Sequence, residues 1–170
     1  LSEKDRKKIL KMKTYDMDEY YTVVERPGLQ NFLDYIFENY NVSVWTAASK
    51  DYALFIVQNI LLTRSNRKLD WILFSYHCDI SKKEKKGSKD LNMLWDVYKL
   101  NGYSLDNTVI IDDHPDVYKL QKDNCIHITP FELEEMELQK DKTLYTIKKI
   151  LMQEKFKQPN EYVSKINKIM

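Results

Sequence analysis

A chain of 170 residues is long enough for one domain that buries about two-thirds of its unfolded surface, so it can support an enzyme core. Lys+Arg 27 against Asp+Glu 26 gives a formal net charge of +1, which excludes a whole-molecule field for nucleic acid or acidic lipid, and no direct nucleic-acid binding is expected. Two cysteines, Cys78 and Cys125, no apolar run near the roughly 18 residues of a membrane span, and a start, LSEKDRKK, unlike a secretory signal point to a reducing, intracellular compartment, cytoplasmic or nuclear, with no membrane partner.

In chain order, KKILKMKTY is basic and helix-like, and it leads into DMD, where Asp16 and Asp18 stand two apart. Arg26-Pro27-Gly28 is a stop signal, after which LQNFLDYIFENY, residues 29–40, puts Leu29, Phe32, Leu33, Ile36 and Phe37 on one helical face. VSVW at 42–45 predicts a strand, KDYALFIVQNILL at 50–62 a helix, and DWILFSY at 70–76 another strand. LNMLWDVYKL at 91–100 returns to helical spacing, TVIIDD at 108–113 reads as the clearest buried strand, and CIHI at 125–128 as the next. A helix near 142–155 and a polar, Lys-rich tail over 156–170 complete the chain. Short apolar runs alternating with helical patterns predict an α/β, doubly wound parallel sheet. Ligands of such sheets sit at the carboxyl ends of the strands.

Two strand ends carry polar groups there. VSVW runs into Thr46, whose hydroxyl and following N–H groups could meet an anion or merely cap the next helix, as Ser49 could. TVII runs into Asp112 and Asp113, two adjacent carboxylates whose repulsion a divalent cation would relieve; oxygen-only ligands suit Mg²⁺. The bland reading of Asp-Asp-x-Pro is a turn. Lys89, in GSKDL just ahead of the 91–100 helix, could offset charge on phosphoryl oxygens, although Lys82, Lys83, Lys85 and Lys86 precede it in what reads as a solvated basic loop. His77 and Cys78 lack the second ligand pair of a zinc site and read as core and edge positions.

Thr after a strand, Lys before a helix and Asp-Asp after a strand follow the order of the second, third and fourth motifs of the haloacid dehalogenase superfamily. More closely, ERPGLQNFLDYI, VSVWTAASKDYA, SKDL and VIIDDHP resemble the phosphatases of the RNA polymerase II C-terminal domain (CTD), the small CTD phosphatases and their NLI-interacting-factor-like relatives, over roughly residues 20 to 130. The phrasing VWTAASKDYALFI, with only 3 Gly beside plentiful Lys, Asn, Ile and Tyr, is similar to members from large DNA viruses, for which a viral factory or virion would be the setting.

The resemblance implies a haloacid-dehalogenase-like domain over 1–155, with a specificity-setting insertion at about 66–89 between the second and third motifs. It implies a phosphoprotein or phosphopeptide substrate, with the RNA polymerase tail as one candidate, and an aspartyl-phosphate intermediate with Mg²⁺ as cofactor. Thr46 would hold a phosphoryl oxygen, Lys89 would offset charge and orient the nucleophile, and Asp112 with Asp113 would hold Mg²⁺. Ser75 and Ser49 stand where the small phosphatases carry an arginine and an apolar pocket residue, a departure that bears on the polymerase-tail candidate.

The family's first motif, an apolar strand ending Asp-x-Asp-x-Thr, is not found. DMD follows a basic segment and precedes Glu19-Tyr20, so it reads as a surface turn or helix start, not the nucleophile. The expectation is that the motif lies upstream of Leu1 and that the chain as given is inactive without it. The alternative is a catalytically inactive module that keeps the fold for binding. A receiver-like signalling domain would need its acidic pair earlier than Asp112-Asp113.

Overall fold

The structure, a computed structural model, describes residues 2–133, 138–155 and 157–170. It opens with α1 (Glu3–Ile9), capped by the Ser2 hydroxyl, which accepts from the Asp5 N–H. The antiparallel hairpin β1 (Thr14–Met17) and β2 (Tyr21–Val24) follows. DMD therefore belongs to a hairpin: Asp16 lies on β1, and Asp18 turns the chain at φ 45. The turn expectation holds for Asp18 and the helix-start alternative does not, because Thr14 to Val24 alternate across a two-stranded ladder instead of following a helical period.

α2 (Leu29–Asn39) starts where expected. Gly28 precedes it at φ 80, and a Cβ there would stand 2.7 Å from the Tyr145 ring, so both backbone and packing demand glycine. α2 buries Phe32 and Leu33 and is followed by β3 (Val42–Trp45). Ser49 caps α3 (Lys50–Ile56), which widens into a π-helical turn over Val57–Leu61, so the 50–62 helix is present with a looser second half. Behind it, the Arg67 side chain is 0% exposed, its guanidinium held by Asp34, Gln30 and the Leu61 carbonyl.

β4 (Leu69–Leu73) ends earlier than DWILFSY predicts. Ser75 and Tyr76 already open α4 (Ser75–Glu84), because the Phe74 N–H donates to His77 Nδ1 and closes a helical first turn. The stretch read as an insertion thus carries β4, paired parallel with β3, and α4. The expected 91–100 helix contracts to one π-helical turn, Met93–Val97, because Lys99 adopts φ 54 and reverses the chain.

β5 (Ile110–Asp112), α5 (Pro115–Leu120) and β6 (Cys125–His127) form a second parallel crossover. α6 (Thr143–Gln153) and α7 (Pro159–Asn167) close the chain. The stretch read as a polar tail is therefore largely helix, and α7 belongs to the core, with Val163 and Ile166 both 0% exposed beside Ile126 and Ile147. Apolar residues spaced among lysines hide this face from a reading by composition.

The strands do not form the single doubly wound sheet expected. Among the described residues they make three two-stranded sheets, β1-β2, β3-β4 and β5-β6. The last two are parallel, and a cavity of about 490 Å³ lies between them, lined by Val42, Ser43 and Trp45 on one side and Thr108, Val109, Ile110 and Ile111 on the other. β3 is accordingly half-buried throughout, and so are Ile110 and Ile111, in the segment expected to be the most buried strand. The architecture is mixed α/β with small parallel sheets.

Candidate functional site

Polar residues stand at the carboxyl ends of β3 and β5. Asp112 ends β5 and is buried at 7% exposure. Its Oδ2 stands 2.6 Å from Lys89 Nζ, and its Oδ1 accepts the His114 N–H at 2.8 Å, so both carboxylate oxygens are engaged. Lys89 is nearly as enclosed, its side chain 12% exposed. Its backbone is clamped by Gln121, whose amide donates to the Lys89 carbonyl at 2.8 Å and accepts from the Leu91 N–H at 3.0 Å. Ser81, 0% exposed, accepts the Asp90 N–H and donates to the Gly87 carbonyl, fixing the loop that delivers the lysine.

Thr46 ends β3. Its N–H donates to the Leu73 carbonyl, which continues the β3-β4 ladder, and its Oγ1 accepts the Ala48 N–H at 3.1 Å. That bond leaves the hydroxyl proton free to donate. Its carbonyl accepts from Cys78 Sγ at 3.5 Å. Burial pushes the Cys78 thiol up, partly countered by the Lys89 charge. At Cys125 burial, with help from the Asp112 charge, pushes the thiol up to about 12. Both thiols are free, buried and un-ionised at neutral pH.

Of the four residues singled out by sequence, Lys89 and Asp112 are in direct contact, while Thr46, at the end of β3, contacts Cys78. Asp113 is exposed beside them, and its carbonyl lies 3.0 Å from His127 Nε2. The basic run divides: Lys82 and Lys83 lie in the last turn of α4, while Lys85 pairs with Asp96 at 2.7 Å. His77 is a half-buried ring edge-on to Phe74 and Tyr98, and burial lowers its pKa. Among the described residues no group of three or more His, Cys, Asp or Glu gathers as a metal cage. Mg²⁺ needs no such cage, since one or two carboxylates with water and phosphate suffice, and the hard oxygens of Asp112 and Asp113 meet that minimum. Gln121 and Ser81 carry no recognisable sequence signal; only their bonds to the lysine loop reveal them.

Asp16 lies apart from this arrangement, exposed and accepting from Thr22 Oγ1 across the hairpin. Among the described residues no helix is long and apolar enough to cross a membrane.

Comparison with known proteins places the chain in a family. The family model described as NLI interacting factor-like phosphatase matches residues 1–161. The chain is 44% identical over 140 residues to protein 355R of Invertebrate iridescent virus 6, named CTD phosphatase-like, covering 80% of this chain and 77% of that protein. It is 40% identical over 158 residues to the 355R protein of Invertebrate iridescent virus 3, which carries the same name, covering 87% and 84% respectively. More distantly, it is 27% identical over 130 residues to the ubiquitin-like domain-containing CTD phosphatase 1 of Xenopus laevis, 74% of this chain and 41% of that one. With the family model matched over residues 1–161 and these identities to its relatives, the chain belongs to the NLI interacting factor-like phosphatases.

Proposed function

We propose that this chain is the phosphate-binding body of a Mg²⁺-dependent phosphoprotein phosphatase that works through an aspartyl-phosphate. The observation that carries the reading is the enclosed Lys89–Asp112 pair at the carboxyl end of β5. A cation fixed by its ion pair and a hydroxyl proton left free to donate suit the equatorial oxygens of a transferring phosphoryl group, where preorganised donors are most effective. Thr46 donates to one phosphoryl oxygen. Lys89, held by Gln121, offsets the charge that develops and orients the attacking carboxylate. Asp112 and Asp113 would hold Mg²⁺, which would supply neutralisation of the developing negative charge.

The nucleophile and the general acid come from an Asp-x-Asp-x-Thr segment that these 170 residues do not contain. The DMD pair does not substitute, because it sits on a hairpin and ends no parallel strand. The substrate class is a phosphoserine or phosphothreonine peptide. The relatives' names favour the polymerase tail, whereas the polar Ser49 and Ser75 favour a different sequence around the phosphate.

Inorganic phosphate titrated with Mg²⁺ tests the pocket without requiring turnover. Amide NMR signals of residues 46–48 and 112–114 should shift together, and Lys89→Met should remove the effect. Shifts confined to the Lys82–Lys86 run, or none, would overturn the assignment.

A further inference from the structure

We infer that His127 is a positioning residue for the Asp112–Asp113 turn: it fixes the peptide unit between Asp113 and His114 and, through that peptide, the Asp112 carboxylate. Asp112 and His127 are register partners on β5 and β6. The peptide unit beside them is held at both ends. Its carbonyl, from Asp113, lies 3.0 Å from His127 Nε2, and its N–H, from His114, donates to Asp112 Oδ1 at 2.8 Å. A carbonyl oxygen cannot donate, so Nε2 carries the proton and His127 is the donor. Two hydrogen bonds thus run in series through one peptide, from His127 to Asp112, and each polarises the other. Asp112 Oδ2 is meanwhile taken by Lys89. The carboxylate is gripped at both oxygens, and one of the two grips depends on the His127 ring.

The ring is itself held. It stacks on Tyr118 with centroids 4.9 Å apart and planes 9° from parallel. The His127 N–H donates to Asn167 Oδ1 at 2.9 Å, and Asn167 Nδ2 donates to the Cys125 carbonyl at 2.9 Å, so α7 anchors the strand that carries the ring. On the far side of the turn the chain has little freedom. Pro115 opens α5 and keeps His114 extended, at φ −79 and ψ 123, while His114 Nδ1 accepts the Asp116 N–H at 3.2 Å. On the near side Asp112 belongs to β5. The tilt of the Asp113–His114 peptide is the soft step between strand and helix, and the His127 bond removes it. Packing alone would be served by any flat ring on Tyr118. It does not require a donor aimed at the carbonyl whose peptide N–H holds Asp112.

A cation held by Asp112 and Asp113 belongs to the phosphatase reading, on which this inference rests for its purpose and not for its geometry. Two variants separate them: His127→Phe keeps a ring on Tyr118 and cannot donate, whereas His127→Gln keeps a donor. In the metal-free chain, hydrogen exchange of the His114 N–H should quicken about tenfold in His127→Phe, as for one lost hydrogen bond. The Ile128 N–H, which donates to the Asp112 carbonyl at 3.1 Å, should keep its protection. Mn²⁺, a paramagnetic stand-in for Mg²⁺ that also favours carboxylate oxygens, is then titrated while the amides of residues 112–114 are followed. Its affinity should fall about tenfold or more in His127→Phe, as for loss of a bond that orients a ligand. His127→Gln should restore both readouts. Unchanged His114 exchange in His127→Phe, loss of Ile128 protection along with it, or a Gln variant as impaired as the Phe variant would overturn the inference. An unaltered chain that takes up no Mn²⁺, with the His114 response as expected, would support the clamp and overturn the metal assignment of Asp112 and Asp113.

Discussion

Lys89 Nζ and Asp112 Oδ2 stand 2.6 Å apart with side chains only 12% and 5% exposed, an ion pair enclosed at the carboxyl end of β5. Removing one member of such a pair strands an uncompensated buried charge. Lys89→Met is expected to destabilise the fold by about 3 kcal/mol, and the double variant Lys89→Met/Asp112→Asn by less than the sum of the single changes. Urea denaturation of the three variants measures this coupling.

A second pair sets acid sensitivity. Arg26 donates to Asp141 through Nε at 3.1 Å and Nη2 at 2.7 Å, while Thr143 adds its N–H. Burial alone would raise the Asp141 carboxyl, but the Arg26 and Thr143 bonds outweigh it and hold the group below the usual carboxylate range. A depressed carboxylate adds stability above its unfolded pKa and loses it as pH falls through the folded value. Asp141→Asn should therefore lower stability at neutral pH and flatten the loss of stability below about pH 4. A pH series of thermal melts checks both.

Thiol chemistry gives a third expectation. With Cys78 and Cys125 buried and both thiols pushed up, iodoacetamide at neutral pH should label neither in the native chain and both in urea. Mass spectrometry of the two reactions decides it. Rapid native labelling of Cys78 would mean that the floor beneath Thr46 opens readily.

How much of this was legible in the sequence follows from the range of the interactions. α2 and α6 declare themselves through apolar residues at helical spacing, and β3 and β5 through β-branched runs ending in polar residues, because those patterns are local. The contact of Lys89 with Asp112 was anticipated only through motif order. Its geometry depends on Gln121 and Ser81, polar residues with no periodicity to mark them. α7 was hidden because Val163 and Ile166 stand among charged and polar neighbours, and the π-helical turn at Met93–Val97 because its end is set by one backbone angle, φ 54 at Lys99. The division of the expected single sheet into two pairs depends on which strand meets which edge, and a single-strand pattern carries no such information.

The central claim is that these residues bind and polarise a phosphoryl group while a segment carrying Asp-x-Asp-x-Thr supplies the nucleophile. Its most direct measurement is phosphate release from a phosphoserine peptide by the chain with Mg²⁺ and a peptide of apolar residues ending Asp-x-Asp-x-Thr. The account predicts no turnover without the added peptide and turnover with it. That turnover should disappear when the peptide's first Asp is Asn, and should fall about 100-fold or more in Lys89→Met and Asp112→Asn, as for loss of a preorganised charge-stabilising group. Turnover by the chain alone that is abolished by Asp16→Asn, or turnover with the peptide that is indifferent to Lys89 and Asp112, would contradict it.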